Sequence, residues 1–172
     1  MFKKLLHGRE QTLLNQRLHQ KGFWLEVVTL IIPGFNDSSE ELGDIAGFLA
    51  GISPDIPWHV TAFHKDYRMT EPGNTTPAML RTAAAIARES GLRFVYAGNL
   101  PGRVGDLEHT RCHSCRAMLV ERHGYFIQSY RLTADGACPD CGTAIPGRWG
   151  RAFEGQIASR PFLPGTRRLR TL

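Results

Sequence analysis

The chain has 172 residues, of which 42% are hydrophobic and 22% are charged, and this is the composition of a globular protein rather than a disordered one. That length accommodates one ordinary domain and a small second one. The net charge of +5 does not indicate a basic binding face on the folded part, because acidic and basic residues balance over residues 1–146 and the excess comes from arginines in residues 147–172.

The first half of the chain predicts alternating helices and strands. Residues 9–20 predict a helix, because leucines repeat there at helical spacing. Residues 23–32 are nearly all apolar or β-branched, which is typical of a strand buried on both faces of a parallel sheet. Residues 39–50 predict a second helix, which Asp37 or Ser38 can cap.

The same alternation continues toward the middle of the chain. Residues 56–63 predict a second strand, residues 77–90 a third helix with Pro77 in its first turn, and residues 92–97 a third strand. Helices between successive strands imply βα units and a parallel sheet. Three such strands leave two open edges, so the fold class expected here is α/β, with part of a (β/α) barrel.

Composition divides the chain into three parts. Residues 1–105 form the predicted partial barrel. Residues 106–149 switch to short strands and turns, and they predict a small β module of the zinc-ribbon or rubredoxin-like kind. Residues 150–172 are basic and have no period, so they are predicted to be a disordered tail.

All four cysteines lie in two CxxC pairs, and 22 residues separate the pairs. The ligands are Cys112, Cys115, Cys138 and Cys141. Two such knuckles, joined by a β-hairpin, point four thiolates at one ion, and a site with four protein ligands is closed and therefore structural. Zinc is the expected metal and iron the alternative. His113, between two ligands, is expected to be exposed.

Two disulfides are the competing interpretation of the cysteines, and they require an oxidising compartment. The basic start of the chain has no apolar run long enough for a signal peptide, and no stretch reaches the roughly 18 apolar residues of a membrane span. We therefore expect a cytoplasmic protein with no membrane partner and with cysteines that bind metal.

Four segments together carry a resemblance to a known family. They are Thr-Leu-Ile-Ile-Pro-Gly-Phe-Asn-Asp at 29–37, Trp-His-Val-Thr-Ala-Phe-His-Lys-Asp-Tyr-Arg-Met at 58–69, Tyr-Ala-Gly-Asn-Leu-Pro-Gly at 96–102, and Ile-Pro-Gly-Arg-Trp at 145–149 after the cysteine pairs. In this order the last three segments and the cysteine pairs resemble the radical SAM component of the AmmeMemoRadiSam system, which is similar to pyruvate formate-lyase activating enzymes, and the segment 29–37 resembles that wider group. The resemblance covers roughly residues 10–149.

The resemblance implies that the chain corresponds to the C-terminal part of such an enzyme. The N-terminal half of that family carries a CxxxCxxC motif, which holds a 4Fe–4S cluster and S-adenosylmethionine, and this chain has no such motif. Both cofactors are thus expected only if a separate N-terminal half is supplied, and alone the chain is expected to be inactive. The Memo-like protein of the same system is a further suggested partner.

Two residues are candidate contacts to S-adenosylmethionine. His64 follows the second strand in a Phe-His pattern that, by the resemblance, approaches the cofactor. Asn99 lies in a glycine-rich turn, where a ligand contact and a turn-forming role are equal alternatives. His59 is interpreted as structural, and Asn36 and Asp37 as turn and cap residues.

Two other functions compete with this interpretation. The chain is alternatively a zinc-ribbon binding or interaction module without enzymatic activity, or a fragment with no activity at all. Nucleic acid is not a favoured partner of such a module, because acidic residues are interspersed with the basic ones around the cysteines.

Overall fold

A computed structural model describes residues 9–149, and the predicted disordered tail lies outside these residues. In chain order the elements are α1 (Arg9–Gln20), β1 (Val27–Ile31), α2 (Ser39–Ile52), β2 (Trp58–Ala62), α3 (Pro77–Glu89), β3 (Val95–Gly98), a 3-10 turn (Gly105–Glu108), β4 (Thr110–Arg111), β5 (Met118–His123) and β6 (Phe126–Tyr130). Within this range, no helix has the length and hydrophobicity needed to cross a bilayer.

The first three strands form a parallel sheet in the order β1-β2-β3, which confirms the predicted βα units. Val27 pairs with Trp58, and Trp58 pairs with Val95. Helices α2 and α3 pack on each other and bury one face of this sheet. The core between them includes Trp58, Val60 and Leu80, each with no exposed surface, and its burial is the main driving force for this part of the fold.

Local capping explains where α2 and α3 begin. The Ser38 hydroxyl accepts a hydrogen bond of 3.3 Å from the backbone N–H of Glu41, so Ser38, and not Asp37, caps α2. Thr76 plays the same part for α3, and Pro77 follows it in the first turn, where a missing N–H costs nothing. Both helices begin where the sequence predicts.

The prediction that the first strand is buried on both faces is wrong. Val28 is 66% exposed and Leu30 is 41% exposed, whereas Ile31 on the opposite face is fully buried. The reason is that α2 and α3 both lie on one side of the sheet, and no described helix covers the other. We call this uncovered side, with Val28 and Leu30 on it, the bare face.

The Asn36 side chain closes the loop after β1. It is 3% exposed, its Oδ1 accepts from the N–H of Ile32 at 2.7 Å, and its Nδ2 donates to the carbonyl of Leu30 at 2.9 Å. One amide thus satisfies two backbone groups that a neighbouring strand would otherwise pair. This agrees with the interpretation of Asn36 as a turn residue.

We expect Asn36→Ala to lower the free energy of unfolding by about 1–3 kcal/mol, because it removes two partly buried hydrogen bonds that each contribute about 0.5–1.5 kcal/mol. Chemical denaturation followed by circular dichroism measures the change. Asn74→Ala is the matched control, since Asn74 accepts one exposed hydrogen bond from Lys65 and its loss should cost less. Equal losses in the two variants would contradict this account.

The last three strands form a separate antiparallel sheet, in the order β4-β5-β6. Its core contains Cys112, Leu119 and Cys138, all nearly or fully buried, and it shares Phe94 with the end of the parallel sheet. Tyr96 of β3 also bonds across to Thr110 of β4, with 3.0 Å between the two hydroxyl oxygens. We refer to β4–β6 and the cysteine turns, residues 110–149, as the ribbon.

Candidate metal centre and the adjoining cavity

The four cysteine sulfurs meet at one point, as the CxxC spacing predicts. All four Sγ atoms lie within 4.8 Å of one another, and the pairs Cys112–Cys141 and Cys115–Cys138 are each 3.6 Å apart. A disulfide has its sulfurs at about 2.05 Å, so these are free thiols. A tetrahedral ion with zinc–sulfur bonds of about 2.3 Å places its sulfurs about 3.8 Å apart, which is close to the observed spacing.

Each pair sits on a tight turn that the local sequence favours. The N–H of Arg116 donates to the carbonyl of Cys112 at 3.0 Å, and the N–H of Gly142 donates to that of Cys138 at 2.9 Å. Both residues that close the turns have left-handed backbones, with φ of 65° for Arg116 and 72° for Gly142. Glycine adopts this conformation without strain, so Gly142 suits its turn better than Arg116 does.

The two exposed thiols differ in acidity. Hydrogen bonds from the side chain and backbone of Thr143 lower the pKa of Cys141 to about 6. At Cys115, the backbone N–H of Ala117 favours the thiolate, but the neighbouring cysteines and burial outweigh it and raise the pKa to about 12. The first negative charge therefore forms on Cys141 and opposes ionisation of its neighbour, and a divalent cation removes that opposition.

The donor set fits one closed metal site, because four sulfurs within 4.8 Å of one another can surround a single tetrahedral ion. Either zinc or iron can occupy such a site of four thiols. The chain has no fifth cysteine. A basic side chain braces the second turn: Arg131 pairs with Asp140 at 2.6 Å and donates to the Met118 carbonyl at 3.1 Å.

His113 is not exposed as expected. Its ring contacts Phe94 edge-on, with 5.8 Å between ring centroids, and its buried Nδ1 has no hydrogen-bond partner among the described residues. The first cysteine turn, which carries His113, thus packs against Phe94 just before β3. The spacing of the cysteines alone does not reveal this contact.

A cavity of about 680 Å³ lies between the bare face of the sheet and the ribbon. Its floor is formed by strand residues that alternate with the helix-facing core, among them Val28, His59 and Tyr96. Residues 145–149 and the β5–β6 turn contribute to its walls. The sequence does not predict this cavity, because its lining comes from segments far apart in the chain.

A row of polar side chains crosses the cavity floor. Glu26 Oε2 lies 2.9 Å from His59 Nε2, and the His59 ring stacks on Tyr96 with 5.1 Å between centroids. Next in the row is Arg122, whose Cζ lies 5.9 Å from the centre of the Tyr96 ring. Burial raises the pKa of Tyr96, and its hydrogen bond to Thr110 and the positive charge of Arg122 act in the opposite direction.

The predicted cofactor contacts occupy different positions. His64 is exposed on the loop after β2, outside the cavity lining. Asn99 lies at the cavity rim, has a φ of 65°, and donates through Nδ2 to the Ala62 carbonyl at 3.1 Å, which links the loop after β3 to the end of β2. His59 is the histidine that lines the cavity. Because side chains alternate along a strand, the burial of Trp58 indicates that His59 points to the opposite face of the sheet. The sequence does not indicate that a cavity lies on that face.

The fold and site thus define a mixed α/β protein with a four-cysteine metal-type ribbon. No protein-family profile matches the chain, and no solved structure matches it significantly. An uncharacterised protein of Methanocaldococcus jannaschii is 36% identical over 126 residues, which are 72% of this chain and 37% of that protein. The chain therefore spans little more than a third of the curated relative that it matches.

Proposed function

We propose that this chain forms the C-terminal part of a radical SAM-type barrel, with the four cysteines as its structural zinc site. The observation that carries the proposal is the bare face. Three parallel strands in sequential order have both connecting helices on one side, and their other side lines a cavity. In a (β/α) barrel the helices surround the strands, and the opposite side of the sheet faces the interior.

The open edge of the sheet gives further support. In the described part of the chain, β1 has a neighbouring strand on one side only. Its exposed apolar residues, Val28 and Leu30, are of the kind that usually pack against another part of a protein. The archaeal relative is much longer than the segment it shares with this chain. A preceding set of strands, on a longer chain or a separate one, would cover this edge.

In this proposal the chain supplies part of the barrel wall, and His64 and Asn99 follow β2 and β3 toward bound S-adenosylmethionine. In this proposal the 4Fe–4S cluster is held elsewhere, because all four thiols of this chain converge on one point that suits a single ion, and the chain has no other cysteine. Such a cluster supplies the electron that cleaves the cofactor. The chain alone is therefore inactive in that reaction, and a cluster-bearing half or the Memo-like protein is its proposed partner.

A chimera tests the proposal. The 126-residue segment of the archaeal relative that matches this chain is replaced by the corresponding residues of this chain, and the protein is reconstituted with iron and sulfide. We expect reduced chimera to convert S-adenosylmethionine to 5′-deoxyadenosine, and we expect none from this chain alone. Absence of a CxxxCxxC motif or of a cluster in the archaeal protein would reject the proposal.

The role of His64 is measured in the same chimera. We expect His64→Ala to weaken binding of S-adenosylmethionine about tenfold, which corresponds to the loss of one hydrogen bond to a charged group. Lys65→Ala, at the next position of the same exposed loop, is the control. If both variants bind like the parent chimera, His64 has no role in the cofactor site.

The alternative is an interaction module without enzymatic activity. It is favoured by the tip of the β5–β6 hairpin, where Tyr125 is 98% exposed and Phe126 is 60% exposed. Exposed aromatic residues are enriched at protein interfaces. A chimera that holds its cluster but yields no 5′-deoxyadenosine, while the archaeal parent does, would favour this alternative.

A further inference from the structure

The cavity on the bare face has the dimensions of a small-molecule site. Its volume of about 680 Å³ falls within the range of about 300–1,000 Å³ that is usual for pockets holding organic ligands. It also combines apolar walls with a few polar groups on its floor, which is the arrangement that fixes the orientation of a ligand. The charges of those polar groups indicate what it binds.

Both acidic side chains of the lining have their oxygens occupied. Glu26 accepts from the Trp24 indole N–H at 2.9 Å through Oε1, and its Oε2 faces His59. Glu108 accepts from the N–H of Gly102 at 2.5 Å and of Gly124 at 2.7 Å. These carboxylates are held by the protein itself, so they are poorly placed to attract a cationic ligand.

Two arginines line the cavity, and Arg148 donates through Nη2 to the Gly22 carbonyl at 3.2 Å. Arg122 is the one next to Tyr96 on the cavity floor. Arg122 uses Nη1 for the Thr110 hydroxyl at 2.7 Å, and it forms no ion pair with any carboxylate in residues 14–149. A guanidinium has five N–H donors in a fixed plane, so donors remain after this one bond. The Thr110 contact and the Tyr96 ring hold it in position, which lowers the entropy cost of binding an anion.

We infer that this cavity binds a small organic anion, a carboxylate with a flat apolar body, whose charged end pairs with Arg122. The flat body is assigned by the lining, which includes Trp24, Trp149 and the Tyr96 ring on the floor. A planar carboxylate matches the guanidinium fork with two parallel hydrogen bonds. The cavity lies on the face that the proposed function assigns to the barrel interior, so the inference extends that proposal, but it uses only residues of this chain and requires no cluster.

The test uses the full chain with zinc added and indole-3-acetate as the probe. Indole N–H signals of the three tryptophans are followed by NMR during the titration. Trp24 and Trp149 line the cavity, whereas Trp58 is fully buried on the helix side and serves as an internal control. We expect saturable shifts for Trp24 and Trp149, and none for Trp58.

Charge dependence is measured with indole-3-acetamide, which has the same shape and no charge. We expect the amide to bind about tenfold more weakly or worse, because a hydrogen bond to a charged group is lost. Arg122→Gln should weaken the acetate by a similar factor. Arg103→Gln, an exposed arginine outside the cavity lining, should leave it unchanged.

Equal binding of acid and amide would overturn the inference, as would full affinity in a folded Arg122→Gln variant or an equal shift of Trp58. If Arg122→Gln does not fold, the comparison of acid and amide on the unaltered chain decides the matter. Failure here leaves the chimera experiment unaffected, because that experiment measures cofactor cleavage and this one measures binding to the chain alone.

Discussion

Cys112→Ser should abolish tight zinc binding and unfold the ribbon. Cys112 has no exposed surface, its sulfur lies 3.6 Å from that of Cys141, and it belongs to the core shared by β4–β6. Structural zinc contributes about 10–16 kcal/mol to the folding of small metal-binding modules, and this energy depends on all four thiolates. A serine hydroxyl cannot replace a buried thiolate ligand.

Metal content and ribbon structure report this result together. Mass spectrometry should find about one zinc per unaltered chain and much less in the variant, and backbone NMR should show loss of dispersed signals from residues 110–146. Ser114→Ala is the control, since Ser114 is exposed between the same two ligands. Retention of stoichiometric zinc by Cys112→Ser would contradict the four-thiolate site.

Removing the metal with a chelator tests the metal dependence of the ribbon without a substitution. Removal of zinc from the unaltered chain should unfold the ribbon, and added zinc should restore it. Acid should have the same effect, because protonation of the thiolates removes the ligands of the metal. A ribbon whose NMR signals persist after complete metal removal would show that the core around Leu119 folds unaided.

Trp58→Ala should lower the free energy of unfolding by about 3–5 kcal/mol, which is a large part of the 5–15 kcal/mol of a typical domain. Trp58 is fully buried between the parallel sheet and the helices, and its indole N–H donates to the Thr29 hydroxyl at 2.8 Å. The substitution leaves a cavity and removes the partner of a buried hydroxyl.

Urea denaturation monitored by circular dichroism measures this loss. Trp58→Phe is the graded comparison, because it keeps an aromatic ring and removes the indole N–H, so it should cost less than alanine. Trp24→Ala is the control on a half-buried tryptophan at the cavity. A loss of less than about 1 kcal/mol for Trp58→Ala would mean that this core residue packs less tightly than its burial indicates.

The helices could be predicted closely because their signals are local. A capping hydroxyl at Ser38 or Thr76 and a proline at Pro77 act on the neighbouring backbone, whatever the rest of the chain does. The cysteine cluster could be predicted equally well, since a CxxC turn directs both of its sulfurs toward the same point. Each of these features depends on residues only a few positions apart.

The bare face and its cavity could not be predicted in this way. Apolar residues at Val28 and Leu30 indicate a strand, but which faces are covered depends on where α2 and α3 pack. For the same reason, the sequence does not reveal that His59 faces a cavity. The row from Glu26 to Arg122 joins segments nearly a hundred residues apart, and only tertiary packing brings them together.

The Asn36 amide also limits how the sheet can grow. Since Val27 directs its N–H to β2, the N–H and carbonyl of Val28 and the N–H of Leu30 point the other way, toward the open edge. Beyond them, Asn36 already occupies the Leu30 carbonyl and the Ile32 N–H. An incoming strand can therefore form only a short ladder, and its register is set by the asparagine that terminates it.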